Sequence, residues 1–174
     1  MDSSTRRRRR AVSTFAAGVC ASLLLTGCGF NMQTLQQYTP AHGVNVDLQA
    51  GEANRQLKVR NLLVVADESG KGVLSASIVS PVADRLVSVE GNAHKMDNSV
   101  GAPLQISGSA VELEPNRLAV LTDPEPAFTV SSPDLKPGLT VDLVLNFESG
   151  LQAKAIAPVM SADDPIYASA KPTS

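Results

Sequence analysis

Between Leu139 and Phe147 the chain alternates. Leu139, Val141, Leu143, Leu145 and Phe147 are apolar, and Thr140, Asp142 and Asn146 intervene. A period of two predicts a β-strand with one buried face. Pro137-Gly138 turns the chain into this run and Ser149-Gly150 turns it out. The alternation resumes over Leu151 to Ala157, with Ile156 as its one exception. Together the two runs predict a hairpin around Glu148 to Gly150.

Seven more short runs read as strands: Val44 to Gln49, Gln56 to Ala66, Gly72 to Ser80, Arg85 to Glu90, Ala110 to Glu114, Arg117 to Thr122 and Ala127 to Ser131. Turn-forming groups such as Glu68-Ser69-Gly70, Gly91-Asn92, Pro115-Asn116 and Asp123-Pro124 separate them. No stretch sustains apolar spacing at three and four residues, so no substantial helix is expected. Eight or nine short strands at this spacing predict an all-β fold, a single antiparallel β-sandwich over residues 43–159. The polar, glutamine-rich 28–42 reads as a tether. Residues 160–174 read as a loose, flexible tail.

Ahead of these lies a different pattern. Arg6 to Arg10 form a basic block, Ala11 to Leu25 an apolar run, and Thr26-Gly27 a small pair before Cys28. The run is shorter than the ~20 residues a bilayer span needs. It resembles a bacterial lipoprotein signal peptide over 1–27. Cys28 would then be the lipidation site, its thiol carrying the diacylglycerol, with palmitate as the expected label. Two acyl chains on one residue suffice for stable anchoring where one would be marginal. The protein is expected at the extracytoplasmic face of the cell membrane, exported by either the general or the twin-arginine route. Cys20 falls in the discarded segment, so neither a disulfide nor a thiolate metal site is expected in the mature domain.

The whole chain carries 15 basic and 17 acidic residues. Loss of the signal removes five arginines and leaves a distinctly acidic domain. With two tyrosines, no tryptophan and no basic cluster, nucleic-acid binding is not expected.

Two groups of segments share a family's order. Asp84-Arg85-Leu86-Val87 leads to Met96-Asp97-Asn98. Val111-Glu112-Leu113-Glu114-Pro115 leads to Leu135-Lys136-Pro137-Gly138 and then Leu143 to Gly150. This resembles the PCuAC family of extracytoplasmic copper chaperones over roughly Gly72 to Val159. The resemblance implies a cupredoxin-like β-sandwich and a Cu(I) site of two histidines and two methionines. Soft thioether and imidazole donors suit Cu(I).

The same resemblance marks what is missing. The family's H-x-M pair falls on Ala119 and Leu121, which cannot ligate. The stretch Ser99 to Gln105, read as the loop that should bring a methionine, has no sulfur. The first histidine falls on Asn92, or on His94 if the hairpin is two residues shorter. His94 and Met96 remain as a partial metal site, two apart and so on one side of a strand. The other reading is a polar histidine and a half-buried methionine at a hairpin edge. His42, Met32 and Met160 lie in the two end segments.

Enzymatic chemistry is not expected: there are two histidines, no free thiol, and no serine spaced to partner His94. Glu112-x-Glu114 and Asp163-Asp164 are single acidic pairs, too few for a Ca²⁺ site. Gly70-Lys71-Gly72 lacks the following helix of a phosphate loop. The expectation is a non-enzymatic envelope lipoprotein acting in binding or assembly, with no cofactor beyond a possible Cu(I). The alternative is a working Cu(I) carrier that supplies a respiratory oxidase.

Overall fold

A computed structural model describes residues 41–51 and 55–170. The signal peptide, Cys28 and Met32 lie outside the described residues, as does most of the tether. Eleven strands follow in order: β1 (Val44–Gln49), β2 (Gln56–Ala66), β3 (Lys71–Val79), β4 (Asp84–His94), β5 (Val100–Pro103), β6 (Gln105–Gly108), β7 (Val111–Leu113), β8 (Leu118–Val120), β9 (Phe128–Ser131), β10 (Thr140–Phe147) and β11 (Gln152–Ser161). Each strand expected from the sequence is present, and β4 and β11 run longer than expected. β5 and β6 are additions, because the stretch read as a loop from Ser99 to Gln105 is mostly strand. Among the described residues no helix is long and apolar enough to cross a membrane.

The strands form one continuous ladder in the order β5-β4-β10-β11-β2-β3-β9-β6. β7 adds to β4, β1 to β2 and β8 to β3. β11 joins the two halves. Its residues from Gln152 to Pro158 pair antiparallel with β10, and Val159 to Ser161 pair parallel with β2. That short parallel contact is the one exception among the paired strands described, in a sandwich that is otherwise antiparallel as expected. A strand that leaves one sheet for another makes a corner of the sandwich. The second crossing runs from β5 to β6 through Leu104, which is buried in the core and bonded through its N–H to the Gly91 carbonyl at 2.9 Å.

The main core gathers one face from each half. Val141, Leu143, Leu145 and Phe147 of β10 meet Leu62, Val64 and Ala66 of β2 and Leu74, Ala76 and Ile78 of β3. At β10 the burial follows the alternation of the sequence residue by residue. At β2 it does not. Leu57 and Val59 face the core, and then the phase changes so that Leu62, Val64 and Ala66 do. The cause is a bulge between Arg60 and Leu63, centred on Asn61 at φ 52°. One extra residue moves every following side chain to the opposite face. The Asn61 carboxamide accepts the Gly43 N–H at 2.8 Å, and a Cβ at Gly43 would lie 2.4 Å from the Asn61 carbonyl carbon. Glycine is therefore required beside the bulge.

The bulge gives β2 a second buried face. Leu63 and Val65, with Val73 of β3, pack against Ala162, Tyr167 and Ala170. A 3-10 helix over Pro165–Ala170 carries the last two. The reading of 160–174 as a loose tail is thereby corrected: Met160 and Ser161 end β11, and residues up to 170 cover apolar surface. His42, read as part of the tether, hydrogen-bonds through Nδ1 to the Tyr167 hydroxyl. Burial, with Asp164 nearby, raises the Tyr167 phenol above its ordinary range.

Candidate functional site

β4 and β10 are neighbours, with Asn92 opposite Asp142 and Ala93 opposite Val141. Their register slips between Ser88 and Leu86, leaving Val87 as the extra residue. Below this bulge Asp84 and Leu86 point inward; above it Val89 and Ala93 do. The outward series above the bulge is Ser88, Glu90, Asn92 and His94. His94 thus meets the outward face of β10, formed by Thr140, Asp142, Val144 and Asn146.

The His94 side chain is 11% exposed. Its Nε2 lies 2.9 Å from Asp142 Oδ2 and its Nδ1 2.9 Å from Thr140 Oγ1. Asp142, at 41% exposed, carries the other end of the contact to water. A carboxylate only accepts, so Nε2 carries the proton. When the ring is neutral its one lone pair is on Nδ1 and the Thr140 hydroxyl donates to it; when the ring is protonated, Nδ1–H donates to Thr140 Oγ1.

Met96 is elsewhere. β4 ends at His94, and Lys95 to Ser99 form a turn closed by Lys95 N–H to Ser99 O at 3.0 Å and Asn98 N–H to Lys95 O at 2.9 Å. Met96 sits on this turn and is 91% exposed. The expectation that His94 and Met96 share one side of a strand is corrected for that reason: the strand stops before Met96. Among the described residues, the other soft donors lie at the second core. Met160 packs against the second core, and His42 is taken by Tyr167. Leu121 is buried in the main core, and Ala119 packs against that core from β8. Among the described residues no three His, Cys, Asp or Glu side chains gather as ligands. The donors among the described residues do not fit Cu(I), which calls for several convergent soft groups.

The segments that carry the family resemblance have structural tasks. Asp84 is buried; its Oδ1 accepts the Arg85 N–H at 2.8 Å and the Ser149 N–H at 3.1 Å, and its Oδ2 accepts the Ser149 hydroxyl at 2.7 Å. The Glu148 N–H bonds the Arg85 carbonyl at 2.8 Å. Asp84 and Arg85 thereby pin the β10–β11 turn to the start of β4. Asp97 closes the β4–β5 turn by accepting from the Ser99 hydroxyl at 2.6 Å and the Ser99 N–H at 3.0 Å. Those bonds hold its carboxyl below the usual range. Asn98 takes the left-handed conformation at φ 62° that such a turn needs.

Electrostatics elsewhere is superficial. Arg85 reaches Glu148 at 2.9 Å and Glu112 at 3.6 Å, and Arg60 reaches Asp47 at 2.6 Å. All are partly exposed, and such pairs contribute about 0–1 kcal/mol each. A shallow polar hollow beside Ala119 is lined by Glu112, Glu114, Arg117 and Leu118 and holds no soft donor.

Sequence reasoning missed Thr140 and Asp142 as partners of His94. Their only signal was their place as polar positions in the best-alternating strand.

No protein-family model matches this chain, and no curated protein matches it. Among solved structures the chain is similar to the copper-bound PCuAC domain from PmoF2. The identity is 16% and the TM-score 0.45, over 67% of this chain and 98% of that one. It is also similar to the apo PCuAC domain from PmoF1, at 21% identity and TM-score 0.44 over 67% of this chain and 99% of that one.

Proposed function

We propose that this chain is a lipid-anchored, non-enzymatic binding or assembly factor of the cell envelope, held at the extracytoplasmic face through Cys28. Its sandwich resembles that of a copper chaperone but lacks a complete copper site. One observation carries the reading: among the described residues, the positions weighed as copper ligands do not offer a set of free soft donors. Leu121 lies in the core, Met96 projects into solvent, and both ring nitrogens of His94 are engaged within the sheet.

Cu(I) titration of the mature chain in detergent, against a competing chelator, tests it. The expected result is no stoichiometric complex. Tight one-to-one binding would overturn the reading and promote the carrier that supplies a respiratory oxidase. The anchor is tested separately. Cys28→Ala is expected to abolish palmitate labelling and signal cleavage, because the thiol is the acceptor; equal labelling of both chains would sink the lipoprotein assignment.

A further inference from the structure

We infer that His94 is a clasp between β4 and β10 whose single available lone pair is masked by the Thr140 hydroxyl, so that the fold withholds this imidazole from copper. The inference rests on the scaffold reading above and adds the residue that does the withholding. Three observations support it.

Asp142 fixes the tautomer. In the neutral ring its Oδ2, 2.9 Å from Nε2, keeps the proton there and the lone pair on Nδ1. Thr140 occupies that lone pair at 2.9 Å. A metal would need to sit about 2 Å from the same nitrogen, along the direction the hydroxyl takes. Finally, the hydroxyl is slow to yield. Threonine is branched at Cβ and stiff at χ1, and its backbone is fixed in β10 opposite Pro158.

A carboxylate behind a histidine ordinarily raises its basicity toward a metal on the other nitrogen. Asp142 and His94 therefore form half of a good ligand arrangement, and Thr140 stands where the metal would go. Removing only the hydroxyl is expected to release the ligand. Thr140→Val keeps the shape and branching of the side chain and deletes the donor.

The test uses the mature chain in detergent as parent, Thr140→Val, His94→Gln and the double variant. Imidazole ¹⁵N shifts of the parent at pH 8 are expected to show His94 protonated at Nε2 and bare at Nδ1. The opposite tautomer, or a rapid average of the two, overturns the clasp without reference to copper. In a Cu(I) competition assay the parent and His94→Gln are expected to bind equally weakly. Thr140→Val is expected to bind about fivefold more tightly, the worth of one neutral hydrogen bond. That gain should vanish in the double variant. No gain in a folded Thr140→Val overturns the masking; should Val not fold there, Thr140→Ala serves in its place. Tight binding by the parent that requires His94 overturns both the masking and the scaffold reading. Tight binding that ignores His94 overturns the scaffold reading alone and leaves the clasp standing.

Discussion

Replacing Asp84 with alanine tests whether the segment Asp84 to Val87 serves architecture or copper. Asp84 holds Ser149 through two hydrogen bonds, at 2.7 and 3.1 Å, and the Arg85 N–H through a third at 2.8 Å. A hydrogen bond to a charged acceptor contributes about 1.5–3 kcal/mol. Ser149 is exposed, so water replaces part of what it loses. The net cost of Asp84→Ala is then about 2–3 kcal/mol, concentrated where the β10–β11 turn meets β4. For a domain of this size that is a fall in Tm of about 8 °C. Melting by circular dichroism measures it. Ser149→Ala removes only the hydroxyl contact and should cost about 1 kcal/mol. The double variant should cost less than the sum, because the two residues share that bond. A Tm within about 2 °C of the parent would refute the argument that this segment is a structural pin.

Leu143→Asp should prevent folding, since Leu143 is buried mid-strand and an unpaired carboxylate there costs several kcal/mol; Val144→Asp, on the outer face, should cost less than about 1 kcal/mol, and equal melting of the two would refute the strand phase. Tyr167→Ala should cost about 2–3 kcal/mol by uncovering Leu63, Val65 and Val73, and should increase binding of an apolar dye; Tyr167→Phe should keep the cover and lose only the bond to His42. Asp97 has a depressed carboxyl, so its support of the β4–β5 turn is fully present above the ordinary value of 3.8 and is lost as pH falls through the lower folded value. The Ser99 amide resonance should follow that loss in acid, and Asp97→Asn should remove it.

The contrast between β10 and β2 shows what was legible in the chain. In β10 the alternation is local, and the buried residues are the apolar ones that the pattern marks. The same logic found nine of the eleven strands, the turns between most of them and the all-β class. In β2 the run Leu62 to Ala66 is apolar throughout, so period two had nothing to report. Its two faces were assigned by the bulge at Asn61 and by the C-terminal segment that covers one of them. β5 and β6 are only four residues each and carry glycine or proline, which hides them from pattern and propensity alike.

The site divides in the same way. Residue types alone determined that Ala119 and Leu121 supply no copper ligand, because neither side chain has a donor atom. They also determined that His94 and Met96 were the nearest soft pair along the chain. Only the tertiary structure decided that these two part company. Whether β4 continues or turns after His94 depends on how the Asp97–Ser99 bonds close the hairpin with β5. The partners of His94 were likewise beyond local reading. Thr140 and Asp142 lie 46 and 48 residues away, and the bulge at Val87 chose the face on which they meet. Short-range alternation records which side of a strand is apolar. Strand pairing and register are settled by long-range packing, where a single inserted residue reverses every side chain beyond it.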